Sequence, residues 1–595
     1  MSMILVQPLF GQEPRVFVLD DAVKMSPDGK IFSLIDLGEY AASNPVWDGK
    51  SIKLSGAKAE TVAFQVMVGA GKGPLSAVSV QVSDLKGAGG TIPAAKIALF
   101  REWYVKVTRP STSPAFSAGL GEYPDALIPA DVAKFGLPID VAAEKIQGIW
   151  VDVAIPRDAK AGPYKGTVTV TAKGQPLARL ELTLNVYGFA IPAERHLRWR
   201  IGYSGFEDVA QHYGINASRD CGKESEEFRK MEEDLYKMCW EGHRFVPTTH
   251  YNTPRPETTG RGAEMKIQWA SFDRRFGKYL DGSAFEDKTP INIFSLPVNV
   301  DAGWPTGGRT PDLARLDTQV LDSVIRQIAK HWDEKGWKLE DTFAYMADEP
   351  APERYPFIKK ACEVIHNADK RIRTSVAFYT HFGPEGPQIV KEFSGYVTMW
   401  DIAGDYMNLP ALAGRQAAGD TIGFYQGSEP FEGSEALDGD GFSLTTWPWI
   451  AWRYKLDTLF LYNMTEWSYF RLDRVQKPWG NLPRNIWTNP LNQSWQTNSQ
   501  GVLLYPGDYV GVKGVIPSIR MKQIRRGMQD YEYFWLASEK GQKARAEEVA
   551  KRIIPKALHE AAAGIGDNFY GKGQWNRDPR NWAAARTELA KTIQE

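Results

Sequence analysis

Phe343-Ala344-Tyr345-Met346-Ala347-Asp348-Glu349-Pro350 is an apolar, aromatic run that closes on two adjacent carboxylates and a proline. It reads as a buried strand. Pro350 has no N–H for a ladder and biases Glu349 toward an extended conformation. The strand therefore stops here, with Asp348 and Glu349 at its C-terminal lip. Carboxylates are rarely buried unpaired. The pair is either a solvated turn or a chemical device, and the surrounding chain has to decide.

Outward from this strand, beyond about Pro192, strand-like runs alternate with helical ones. The strands read as 198–203, 244–251, 291–298, the acidic strand itself, 373–379, 395–401, 421–426 and 458–463. Helical spacing places Phe228, Met231, Leu235 and Met238 on one face of 223–240. It does the same for Val320, Val324, Ile325 and Ile328, and for Phe357, Ile358, Ala361 and Ile365. Eight strands with intervening helices are the count of a (β/α)₈ barrel, whose active sites lie at the C-terminal strand ends. Those ends read Tyr203, His250/Tyr251, Asn299, Asp348/Glu349, Tyr379, Trp400/Asp401, Tyr425/Gln426 and Asn463/Glu466/Trp467. Tyr379, Trp400, Asp401, Tyr425, Asn463 and Trp467 are the candidate substrate-lining residues. Any single aromatic among them reads nearly as well as a core cap.

The front of the chain differs. Runs at 61–68, 149–155, 166–171 and 182–186 alternate and are punctuated by Gly and Pro, which predicts antiparallel sheets and a β-sandwich. Nothing there groups catalytic residue types. The chain turns helical again from Ser518. The end, with helical patterns over 544–563 (broken by Pro555) and 582–593, reads as a tail packed on the barrel. The expected domains are 1–192, an all-β sandwich; 193–540, a TIM-type barrel; and 541–595, a helical extension.

Composition narrows the function. With 595 residues, 43% hydrophobic and 24% charged, the chain is an ordinary globular one of more than one domain. Its net charge of −1 argues against a nucleic-acid partner. Twenty Trp, 24 Tyr and 27 Phe suit either binding surfaces or thick cores. Cys221, Cys239 and Cys362 are odd in number and read as buried free thiols. No apolar run reaches the length of a membrane span. Met1–Phe10 reads as the stub of a trimmed signal peptide, which implies secretion or a periplasmic home, or as an irregular start. Oligomeric state is not legible. H-E-x-x-H, G-x-S-x-G and Walker patterns are missing, and no metal or cofactor is expected.

An aromatic-lined mouth with two acids suits an oligosaccharide or glycoconjugate: aromatic faces stack on sugar rings, and a carboxylic acid protonates the leaving oxygen. Strand neighbours point to opposite faces, so Asp348 and Glu349 make an awkward nucleophile–acid pair. A second acid could come from Glu466 or Asp401. Alternatively the substrate's own 2-acetamido group attacks, with one residue as acid/base and its neighbour holding the acetamido N–H. A non-catalytic carbohydrate-binding protein on a barrel scaffold is the contrasting class.

The lip Asp348-Glu349-Pro350, the segment Gly501-Val502-Leu503-Leu504-Tyr505-Pro506-Gly507 and Ser518-Ile519-Arg520…Arg526-Gly527-Met528-Gln529-Asp530-Tyr531-Glu532-Tyr533 resemble glycoside hydrolase family 123 and its broader relatives. Ala59-Glu60-Thr61-Val62-Ala63-Phe64-Gln65 and Pro124-Asp125-Ala126-Leu127-Ile128-Pro129 resemble the family's N-terminal sandwich, although Ala59 stands where Asn is expected. The resemblance implies an exo-acting, retaining, substrate-assisted β-N-acetylgalactosaminidase. It implies Glu349 as acid/base and Asp348 as the group that orients the acetamido.

Overall fold

The structure is a computed structural model. It describes residues 12–112, 116–203, 209–249, 253–300, 303–305, 313–379, 386–427, 429–467, 485–492, 495–562 and 574–595.

The front is a sandwich of a five-stranded and a seven-stranded sheet. Their inner faces share a core of Val66, Val68, Ile149, Val151, Val168 and Leu182. The expectation of purely antiparallel sheets needs correcting. Gln175–Ala190, the longest strand, runs parallel to Ser51–Lys58. The central strands Thr61–Gly69 and Ile146–Ala154 are buried almost throughout. Their sheet is covered on both faces, by the second sheet and by the following domain, so an unbroken apolar run is what burial requires of them.

The second domain is a parallel barrel of eight strands: β1 Arg198–Gly202, β2 Val246–Thr248, β3 Phe294–Asn299, β4 Thr342–Asp348, β5 Arg373–Phe378, β6 Met399–Ala403, β7 Thr421–Tyr425 and β8 Thr458–Leu461. Ladders join them in the order β2-β1-β8-β7-β6-β5-β4-β3. Among the described residues no ladder joins β2 to β3, so the barrel is nearly closed, with one seam. The longer helices among the described residues that cover the strands are α1 Glu226–His243, α2 Thr318–Lys335, α3 Tyr355–Ala368, α4 Gly386–Phe393, α5 Leu409–Ala417 and α6 Thr446–Tyr454.

Caps explain where these helices begin and end. Ser225 and Asp317 accept N–H bonds from Phe228 and Val320, and α2 stops at Gly336, which holds φ 69°. The expected inward faces of α2 and α3 are buried. That of α1 is rotated: Phe228, Glu232, Leu235, Tyr236 and Cys239 are buried, whereas Met231 and Met238 are partly open.

Helix α7, Ile519–Glu539, fastens the two domains. Arg520 pairs with Asp125 of the sandwich at 2.7 Å, and Lys522 with Asp152 at 2.9 Å. Arg525 also grips Asp152, and Arg526 reaches Asp21 at 3.0 Å. Tyr533 donates to Glu60 at 2.6 Å, and Gln529 exchanges two hydrogen bonds with the Thr61 backbone. After α7 come α8, Lys543–Ile553, and α9, Pro579–Gln594, with Pro555 in the break between α8 and the next helical turn. The tail touches more than the barrel: Arg586 of α9 pairs with Glu60 of the sandwich.

Candidate active site

β4 carries the acids to the C-terminal mouth by two irregularities. Its register with β5 shifts between Tyr345 and Ala347. A bulge changes the parity of the residues beyond it, so Tyr345 and Asp348, three apart, meet on one face, where Tyr345 donates to Asp348 at 2.8 Å. Glu349 then takes a left-handed φ of 42° and donates its N–H to the Ala377 carbonyl at 3.0 Å. A non-glycine residue held there is strained, a condition that clusters at functional sites. Its carboxylate accepts from the Tyr425 hydroxyl at 2.6 Å and from Gln426 Nε2 at 3.3 Å. Gln426 is itself left-handed, at φ 65°.

These contacts set the proton affinity of Glu349. Partial burial raises its pKa, the Tyr425 hydrogen bond opposes this, and the charge of Asp348 raises it further. The net displacement is upward, toward a carboxyl that keeps its proton. The residue nevertheless stays solvent-exposed at the rim, where a substrate can reach it.

Tyr379, after β5, stands beside this pair. Its ring lies edge-on to Tyr406 at 5.2 Å between centroids. Its phenol is pushed up to about 12 by burial and by the nearby charges of Asp405 and Glu349, with Tyr406 adding to the effect. The mouth therefore brings together Asp348 and Glu349 of β4, Tyr379 after β5 and Tyr425 of β7.

Other candidates lie elsewhere. Trp400 and Asp401 are neighbours on β6 and point to opposite faces. Trp400 faces the helix layer, fully buried, stacked on Phe378 at 5.6 Å and donating to Asp420 at 2.8 Å. Asp401 faces the barrel interior, bound by Arg200 at 2.6 and 3.2 Å and by Ser375 at 2.6 Å. Arg200 in turn lies between the rings of Phe343 and Phe460. Asp401 is thus a saturated core ion, shielded from any sugar. Trp467 is buried, donates to the Leu504 carbonyl and packs on His212. Asn463 closes its own turn, accepting from the Met464 and Thr465 N–H groups and donating to Glu466 at 2.8 Å. Tyr203 is buried against Glu232. Asn299 pairs its backbone with Trp304, and His250 and Tyr251 fall outside the described residues.

Sequence reading missed Tyr345, Asp405 and Tyr406. It ended the sixth strand at Asp401, but β6 runs to Ala403. The true lip is the turn Gly404–Tyr406. A Cβ at Gly404 would overlap the Glu432 carboxylate, which lies directly against this turn. Asp405 is raised to about 6, first by burial; the N–H groups of its own turn oppose this, and the charge of Glu349 adds to it. Among the described residues no group of three or more His, Cys, Asp or Glu side chains could hold a metal. A cavity of about 460 Å³ opens at the other end of the barrel, lined by Arg195, Asn292, Lys335 and Thr342, away from the acids.

Two family models match the chain: the glycoside hydrolase 123 N-terminal domain over residues 39–172, and the glycoside hydrolase 123 catalytic domain over 317–537. The second span contains the Asp348–Glu349 lip. The chain belongs to glycoside hydrolase family 123. It is a glycosidase, with the family's sandwich in front of its catalytic barrel. A family 123 glycoside hydrolase from Clostridium perfringens, described for glycolipid glycan hydrolysis, superposes with TM-score 0.67 at 15% identity over 98% of each chain, which supports the fold. A Bacteroides ovatus GH5 xyloglucanase (TM-score 0.26, 12% identity, 80% of this chain and 98% of that one) is too distant to add to this. So is a family 39 glycoside hydrolase from Bacteroides cellulosilyticus (0.32, 10%, 76% and 82%). No curated protein sequence matches the chain. Among the described residues no helix is long and apolar enough to cross a membrane.

Proposed function

We propose that this glycosidase removes a terminal β-linked 2-acetamido sugar, N-acetylgalactosamine first among the candidates, with retention and with the substrate's own acetamido oxygen as nucleophile. The observation that carries the reading is the division of labour between two adjacent carboxylates. Glu349 is exposed at the rim, raised in pKa and held by Tyr425 and Gln426, as a general acid requires. Asp348 is turned aside and held by Tyr345, placed to accept the acetamido N–H and offset the positive charge that grows on the forming ring. The usual second carboxylate is not supplied by Asp401, which is committed to Arg200 and Ser375, and Glu466 is engaged by Asn463.

In this mechanism Glu349 gives its proton to the departing oxygen while the acetamido oxygen closes on the anomeric carbon. Glu349 then takes a proton from water, which opens the bicyclic intermediate with the original stereochemistry. The test is hydrolysis of chromogenic β-glycosides in matched pairs, 2-acetamido against 2-hydroxyl, in the galacto and gluco series. The 2-acetamido members are expected to turn over and the 2-hydroxyl members to be nearly inert. Equal rates within a pair would remove the acetamido from the mechanism.

A further inference from the structure

Asp405 differs from Asp401 and Asp420, the acids before and after it in the chain. Asp401 is neutralised by Arg200, and Asp420 by Arg415 at 2.8 Å with Trp400 as a further donor. Among the described residues no Lys, Arg or His pairs with Asp405, and its Oδ1 is shielded from water without a hydrogen-bond partner. Such an atom costs the fold stability and calls for a reason. Its position supplies one. The residue is only partly buried, on the turn after β6 at the catalytic mouth. Its charge acts on Tyr379, the next strand end, and the charge of Glu349 acts on it. The Asp χ2 torsion is broad, so either oxygen can be presented to a ligand. Tyr379 is braced edge-on by Tyr406, which fixes the wall beside it.

We propose that Asp405 and Tyr379 read one hydroxyl of the terminal sugar, Asp405 accepting its proton in a hydrogen bond and Tyr379 donating to its oxygen. This is a specificity-determining pair, and it rests on the glycosidase reading that places the sugar against Glu349. An acceptor and a donor converging on one oxygen reject a sugar that lacks it, because both groups are then left unpaired.

The experiment compares full-length wild type, Asp405→Asn and Tyr379→Phe on the glycoside that wild type hydrolyses best and on its 3-, 4- and 6-deoxy analogues. Wild type is expected to lose ~10–10²-fold in kcat/KM at one deoxy position, the range of a hydrogen bond to a charged group. Asp405→Asn should lose a similar factor on the parent, chiefly through KM, and should show little further penalty at that one position. Tyr379→Phe, a smaller change that guards against misfolding of the first variant, should soften the same penalty. Variants that keep the full wild-type deoxy profile overturn the proposal. If wild type favours 2-hydroxyl glycosides, the acetamido mechanism fails, while the same comparison on those parents still decides this pair. A wild type that neither hydrolyses nor binds any member of the panel overturns both.

Discussion

Glu349 is where the account is most exposed at the scale of single residues. In the proposed role of general acid it would supply a proton that poor leaving groups need and good ones do not. Glu349→Gln is therefore expected to lose ~10²–10⁴-fold on natural glycans and much less on activated aryl glycosides, by steady-state rates. Tyr425 gives a second handle. Its hydrogen bond favours the charged form of Glu349 and holds the pKa down against burial. Tyr425→Phe should let that pKa rise, moving the alkaline limb of the kcat/KM–pH profile to higher pH. A limb that stays in place, or moves down, would assign it to another group.

At the scale of elements, β4 and α7 carry the architecture. The α7 clamp predicts a stability effect remote from the chemistry. Asp152 is buried; burial pushes its carboxyl up, but Arg525 and Lys522 outweigh this and hold it far below the ordinary range. Asp152→Ala strands two cations and is expected to cost ~3–5 kcal/mol by urea unfolding, with KM unchanged in the folded protein. The same helix shows what sequence can and cannot reveal. Eight strands were legible because apolar runs of strand length recur between amphipathic helices. The motif residues Glu60, Thr61, Asp125, Arg520, Gln529 and Tyr533 were legible as a pattern, but their role was not: across the two domains Arg520 pairs with Asp125, Tyr533 with Glu60 and Gln529 with the Thr61 backbone, and a contact between residues hundreds apart has no local signature. Asp348 and Glu349 were legible because a proline ends their strand. Trp400 and Asp401 were misplaced because β6 continues two residues further, and a two-residue error at a strand end moves the lip from Asp401 to Asp405. The bulge at Tyr345–Ala347 has no sequence signal of its own, and the left-handed φ of Glu349 departs from the extended backbone that Pro350 predicts.

At the scale of the whole molecule, buried acids make stability depend on pH. Burial raises Glu102 to about 8, with neither oxygen hydrogen-bonded, and Glu435 to about 8, partly offset by the Gly501 N–H and Arg520. The unfolded chain gives up these protons near 4.5 while the folded one keeps them, so the native state binds more protons between about 4.5 and 8. Stability should then fall as pH rises through that window, by up to about 1.4 kcal/mol per pH unit for each such proton. Melting curves should show a lower midpoint at pH 8 than at pH 5, and Glu102→Gln should flatten the difference; a midpoint that rises over this range would contradict the burial of neutral acids. The central claim is that Asp348 and Glu349 act with the substrate's acetamido group. Calorimetric affinity for a thiazoline that mimics the bicyclic intermediate, against the free amino sugar, tests it most directly. The account predicts that the thiazoline binds at least ~10²-fold more tightly, as transition-state-like ligands do; equal affinity for the two would contradict it.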